Sequence, residues 1–307
     1  MVYRLARPPS NLQLQSPLFG VLPGEIRNTI FEYALRQYED DKEAYPKGSA
    51  WYRPGFTALL KSCSALLRTC ELAYKEGQEV FFRDLEVAFW FDHGPPNRVG
   101  YRGFETFFGR FPPQVYQSLQ KVRFFVTMNW LMYSQDLACI LRQPVFRPSQ
   151  LTITIRHPTL KLSRSAVQVR KLWPRYFIGN PELRVLQVEY ETFSHWKEEM
   201  MLIIQDFKKI KLRVRKEDKR PCTEETEERE GHLSAEGTEL KEWIWEHKNM
   251  GPYCGDLCLL GAPRLSGAPC PLGALPPLKY VVVRDTWKFV DTPLSDEETQ
   301  GHAPSAA

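Results

Sequence analysis

No stretch of this chain approaches the ~20 consecutive apolar residues that a membrane-spanning helix requires, so no bilayer-crossing helix is expected. Two phosphate-cradling patterns, Gly-x-x-x-x-Gly-Lys-Ser/Thr and Gly-x-Gly-x-x-Gly, are missing, which weakens a nucleotide-dependent enzyme. There is no Gly-x-Ser-x-Gly elbow to present a nucleophile beside a base. Excess charge is scarce: 41 basic against 37 acidic residues leave +4 over 307 residues. That balance argues against a protein whose main task is to coat nucleic acid. The first residues, Met1-Val2-Tyr3-Arg4-Leu5-Ala6-Arg7-Pro8-Pro9, carry positive charge but no apolar core behind it, so no secretory leader is expected. Cysteines number seven, odd and scattered, and fit reduced thiols better than a disulfide framework. The expected setting is intracellular, cytoplasmic or nuclear.

What is present is an ordinary hydrophobic content of 43% with a high aromatic share of 13%. A packed fold is therefore expected. The organising stretch is Leu18-Phe19-Gly20-Val21-Leu22-Pro23-Gly24-Glu25-Ile26-Arg27-Asn28-Thr29-Ile30-Phe31-Glu32-Tyr33-Ala34-Leu35. Pro23 suits a first helical position, where its missing N–H costs nothing. Glu25 then meets the positive end of the helix dipole. Ile26, Ile30, Tyr33 and Ala34 share one face at helical spacing. A second amphipathic stretch, Leu59, Cys63, Leu66, Cys70, Ala73, Gly77 and Val80, offers a stripe to pack against it.

Leu22-Pro23-x-Glu25-Ile26-x-x-x-Ile30, followed by Leu66-Leu67-Arg68-Thr69-Cys70-x-x-x-Tyr74-x-Glu76, resembles the F-box and, more closely, the F-box-like domain of many fungal proteins. That family consists of adaptors. A small helical domain docks on a Skp-type linker subunit of a cullin–RING ubiquitin ligase, and the rest of the chain captures a protein substrate. The resemblance implies that Leu22, Pro23, Ile26 and Ile30 face the linker subunit. It also implies that Leu67, Cys70 and Tyr74 pack the third helix of the domain. Residues 36–57 form a polar, aromatic insertion where an ordinary F-box has a short connection.

Taken in order, residues 1–17 read as a tail and 18–92 as the F-box-like module with its insertion at 36–57. Residues 93–290 read as an irregular, repeat-like α/β region, and 291–307 as a disordered tail. Trp51 and Tyr52, inside the insertion, are placed to fold back over the helices. Leu85 to Phe91 alternates as a strand, and Tyr101 to Phe108 reads as a helix before Pro112-Pro113. Further strands are expected at Leu119–Val126, Leu151–Ile155, Leu183–Tyr190, Ile210–Val214 and Leu278–Val283. Helices are expected at Tyr133–Leu141, Val167–Tyr176 and Trp196–Phe207. The starts at Leu119, Leu151 and Leu183 are 32 residues apart. That exceeds the ~20–29 of a leucine-rich repeat, and the Asn or Cys ladder is missing. The fold class is thus α+β or α/β: a helical module, then a degenerate repeat-like arc of mostly parallel strands buried against helices. The charge-dense segment 215–239 reads as a solvated insertion, residues 240–248 as a helix, and 251–277 as irregular loop.

No enzymatic chemistry is expected, nor any cofactor or metal. The six histidines, His93, His157, His195, His232, His247 and His302, sit in unrelated contexts. Cys254 and Cys258, with Cys270 and His247 nearby, approach a zinc set, but the second pair is irregular and free thiols fit better. In Lys208 to Lys216, alternation puts Ile210, Leu212 and Val214 on one face and Lys211, Arg213 and Arg215 on the other. The second set is either a solvated face or a contact for an acidic partner. The leading expectation is a protein-interaction adaptor that recruits a substrate to a Skp–cullin ligase. The alternative is a stand-alone scaffold whose F-box-like helices are only core.

Overall fold

The computed structural model describes residues 13–46, 51–91, 94–95, 100–109, 119–133, 136–156, 173, 177–214, 231–244 and 279–290. The chain opens with a single turn, α1 (Pro17–Gly20), and a three-turn helix, α2 (Gly24–Leu35). Pro23 stands one place before the first helical residue, as the N-cap in extended geometry. A hairpin follows, β1 (Gln37–Ala44) antiparallel to β2 (Ala58–Ser62). A 3-10 turn at Leu66–Arg68 leads into α3 (Glu71–Asp84). The side-chain sulfur of Cys70 caps α3, accepting from the Ala73 N–H at 3.4 Å.

Two expectations change here. The second amphipathic stretch is no continuous helix, because Leu59 lies in β2 and only 71–84 is α-helical. The insertion is also partly regular, since its polar half supplies β1. That strand contains almost no apolar residue. Its hairpin is held by Lys61 Nζ against Asp40 at 2.7 Å and Glu43 at 2.9 Å, and by Glu39 accepting from Thr57. Trp51 and Tyr52 are half-buried.

The helical pair has its own small core of Phe31, Leu35, Leu67, Ala73 and Val80. α2 turns the stripe of Phe31 and Leu35 inward, not the stripe of Ile26, Ile30, Tyr33 and Ala34. The helices approach closely because Gly77 carries no side chain. A Cβ there would meet Leu67 Cδ2 at 2.6 Å and Phe31 Cδ1 at 2.8 Å. Arg27 clamps the pair from outside with two bonds to the Glu76 carboxylate, at 2.7 and 2.9 Å.

Beyond α3 the chain builds one eight-stranded sheet. β3 (Glu86–Trp90), β4 (Lys121–Thr127), β5 (Gln150–Arg156) and β7 (Val185–Phe193) run parallel as successive neighbours. Of the three starts spaced 32 residues apart, Leu151 falls on β5, while Leu119 and Leu183 each lie two residues before β4 and β7. The other half is mixed. β10 (Lys279–Val290) pairs antiparallel with β7 and with β9 (Gly231–Ile244). β9 pairs antiparallel with β8 (Leu212–Val214), which runs parallel to β6 (Ile178–Gly179). The fold is thus mixed α/β, with strand order β3-β4-β5-β7-β10-β9-β8-β6.

β9 corrects the reading of its region. Residues 231–239 of the charged segment are strand, and so are 240–244, where a helix was expected. The expected helix over Val167–Tyr176 lies outside the described residues, apart from the buried Trp173. Residues 215–230 and 251–277, and most of both tails, lie outside them too.

Helices cover one face of the sheet. α4 (Tyr101–Phe108), α5 (Met128–Tyr133), α6 (Asp136–Arg142) and α7 (Lys197–Phe207) lay Phe104, Leu131, Ile140 and Ile204 on alternate strand residues such as Phe124, Ile153 and Val188. Removing that area from water is the main stabilising contribution. Among the described residues, no helix is long and apolar enough to cross a membrane.

Candidate functional site

The opposite face of the sheet carries charge. One register row crosses six strands: Trp90, Phe125, Thr154, Glu189, Arg284 and Glu239. Glu189 is 1% exposed and forms the hub. Arg123 donates to it at 2.6 Å, Arg284 at 2.6 and 3.1 Å, and Thr154 at 2.8 Å. Arg123 also pairs with Glu86. Arg53 reaches in from the hairpin, 3.3 Å from Glu189 and 3.6 Å from Glu191. Its delivery is encoded in Arg53-Pro54-Gly55-Phe56. Phe56 N–H donates to the Arg53 carbonyl at 2.9 Å, closing a tight turn with Gly55 at φ +80°. Proline followed by a positive-φ glycine is the signature of a type II turn.

Burial alone would raise the Glu189 carboxyl. The charges of Arg123 and Arg53, with the bonds from Arg284 and Thr154, overcome this and hold it down at about 2. A carboxylate so clamped stays ionised near neutrality and is a poor proton donor or acceptor for catalysis. The cluster fastens the hairpin to the sheet.

A crevice of about 620 Å³ lies beside it, between α2 and the sheet. Of the ionisable groups that line it, Glu32 pairs with Arg83, Asp84 with Lys121 and Glu86 with Arg123, and Arg36 lines it as well. Among the described residues, no group of three or more His, Cys, Asp or Glu side chains could hold a metal. His232 is buried on β9. Cys254, Cys258, Cys270, His247, His93, His157 and His302 lie outside the described residues.

The remaining candidate is the outer surface of α2. Val21 and Tyr33 are 76% exposed and Ile26 is 49% exposed. Pro23 is also exposed, while Leu22 and Ile30 are half-buried. The loop that bears Leu22 is braced, because Arg27 Nη1 donates to the Leu22 carbonyl at 2.7 Å. The same arginine therefore sets the angle of α2 on α3 and fixes the start of the ridge. Leu67 is buried and Cys70 is half-buried. Tyr74 instead points outward and adds to the exposed surface of the pair. Lys211 and Arg213 are exposed and alternate with the buried Leu212 and Val214. Arg215 lies outside the described residues.

Sequence reasoning missed the ionic cluster. Its signal was Arg123, Thr152, Thr154, Glu189, Glu191 and Arg284 at alternate strand positions, a pattern equally expected of a solvated face. Compared with known proteins, the chain matches no family model, no curated protein and no solved structure.

Proposed function

We propose that the chain is a non-enzymatic adaptor: the ridge of Leu22, Pro23, Ile26 and Ile30 docks a Skp-type linker subunit, and the sheet region carries a captured protein. Its action is proximity. Holding a target beside a ligase raises the effective concentration of the target's lysines without any chemistry by the adaptor itself. The observation that carries this reading is the exposure of Ile26, flanked by Val21 and Tyr33, on a helix whose other stripe fills the internal core. A contiguous apolar surface rimmed by polar residues is the usual mark of a partner site.

The alternative scaffold, in which these helices serve only as core, draws on the half-buried Leu22 and Ile30. It requires Ile26 to matter for folding. The test is co-purification with a Skp-type subunit. Wild type is retained, whereas Ile26→Asp and the double variant Leu22→Ala/Pro23→Ala are lost at unchanged circular dichroism. Absence of wild-type binding with the fold intact overturns the adaptor reading. An Ile26→Asp chain that unfolds favours the scaffold.

A further inference from the structure

The ridge of Leu22, Pro23, Ile26 and Ile30 is assembled from two pieces of chain. Ile26 and Ile30 stand on α2, whereas Leu22 and Pro23 belong to the loop that joins α1 to it. α2 is three turns long and packed on α3. α1 is a single turn with no fully buried residue, and so short a helix does not hold itself in water. Backbone bonds of the loop close within its own segment. The Gly20 N–H donates to the Ser16 carbonyl at 2.7 Å, and the Val21 and Leu22 N–H groups donate to the Pro17 carbonyl at 3.2 and 3.3 Å. These bonds give the segment its shape and leave its placement against α2 to other contacts.

Arg27 makes those contacts. Its Nε and Nη2 both donate to the Glu76 carboxylate on α3, at 2.7 and 2.9 Å. A guanidinium is planar, so holding one edge of it aims the third nitrogen. That nitrogen, Nη1, donates to the Leu22 carbonyl at 2.7 Å. The guanidinium also lies over the Phe19 ring, 5.8 Å from its centre, and Phe19 packs on the core of the helical pair. One side chain rooted on α2 thus reaches α1, the loop and α3. Lysine would carry the same charge on one nitrogen with no fixed bond directions. The second ion pair between the helices, Arg83 with Glu32 at 2.8 Å, is a natural contrast. Among the described residues, Arg83 bonds only Glu32 and Asp84 and does not touch the loop.

We propose that Arg27 is the positioning residue of this ridge: it pins the α1–α2 loop so that Leu22 and Pro23 are presented in one rigid surface with Ile26 and Ile30. What docks there, a Skp-type linker subunit, rests on the adaptor reading; what Arg27 does rests on its contacts with Glu76, Leu22 and Phe19. A partner then meets a surface already formed, and its affinity is not spent on ordering the loop. Arg27 acts through the loop backbone and needs no contact with the partner.

The test compares Arg27→Lys with Arg83→Lys, the same change at the two ion pairs that join α2 to α3, in the intact chain. Hydrogen exchange by mass spectrometry reads the loop through peptides covering residues 17–22. Surface plasmon resonance reads binding to an immobilised Skp-type subunit. For Arg27→Lys the expected result is exchange about ten-fold faster in those peptides, with α2 and α3 still protected, and a Kd raised about ten-fold. Arg83→Lys keeps both readings at the wild-type level. Loop exchange that Arg27→Lys leaves unchanged overturns the proposal. So does exchange that rises equally along α2 and α3, which makes Arg27 a clamp between helices and nothing more. An equal effect of Arg83→Lys on the loop overturns it too, as does a loosened loop that binds the subunit as tightly as wild type. A wild-type chain that fails to bind the subunit refutes the adaptor reading separately, and the exchange data then decide by themselves whether Arg27 holds the loop.

Discussion

The helical pair and the sheet are stabilised on very different scales. Among the described residues, the sheet buries a continuous apolar layer from β3 to β10 under four helices, and then seals charge beneath a hairpin on its other face. The helical pair has five buried residues and one glycine contact. A small core leaves apolar surface over, and on α2 that surface is a whole stripe. Where the fold has a second layer, apolar residues are consumed by stability. Where it has none, they remain exposed, as Val21, Ile26 and Tyr33 do.

The largest effect is expected where the hairpin between α2 and α3 is tied to the sheet, at Glu189. Glu189→Gln removes the charge and leaves Arg53, Arg123 and Arg284 around a neutral amide. Breaking a buried ion network from one side costs about 3–5 kcal/mol, and urea titration measures it. Because its folded value lies at about 2, below the ~4.3 of an unfolded glutamate, the carboxyl stabilises the fold above that unfolded value. The contribution is lost as pH falls from the unfolded value toward the folded one, on the order of 3 kcal/mol in all. Wild type therefore loses stability across that window, and Glu189→Gln loses less of it. Equal acid slopes for the two proteins would show that the hub is not the titrating group.

Burial explains which parts of this organisation the sequence could reveal. β4, β5 and β7 were legible because each must place Val122, Ile153 or Val188 in one apolar layer, which forces alternation. The polar face repeats the same two-residue period, and periodicity cannot tell a charge in water from a charge under Arg53. β1, Gln-Tyr-Glu-Asp-Asp-Lys-Glu-Ala, and the charged start of β9 were missed for a related reason. Their ladders are supported by cross-strand partners such as Lys61 with Asp40, Lys288 with Glu236 and Arg284 with Glu239, and strand formation of that kind depends on neighbours remote in sequence. On α2 two stripes are offered, Ile26/Ile30/Tyr33 and Phe31/Leu35. Only the glycine at 77, which admits Phe31 against α3, decides between them.

A middle-sized effect separates the two cores. Phe31→Ala empties the centre of the helical pair, at a cost of about 3 kcal/mol, the low end for a buried phenylalanine because solvent is near. The sheet retains its own layer, so hydrogen exchange should rise on α2 and α3 while β4, β5 and β7 keep their protection. Uniform loss of protection would instead make the two cores one cooperative unit.

The smallest effect on stability, and the largest on binding, belongs to Ile26→Asp. Half of that side chain is already in water, so little transfer free energy is lost on replacement. Position 26 also lies in the first helical turn, beside Glu25. A carboxylate there gains from the helix dipole by about 0.3–1 kcal/mol, against a weaker helix propensity of a few tenths. The two nearly cancel, and the midpoint of urea unfolding should move by no more than the equivalent of about 0.5 kcal/mol. If the stripe were core, the same change would bury a charge without a counterion and cost several times more. A variant that keeps its unfolding midpoint but loses the linker subunit would divide α2 as the two stripes suggest, with Phe31 and Leu35 holding the fold and Ile26 serving the partner.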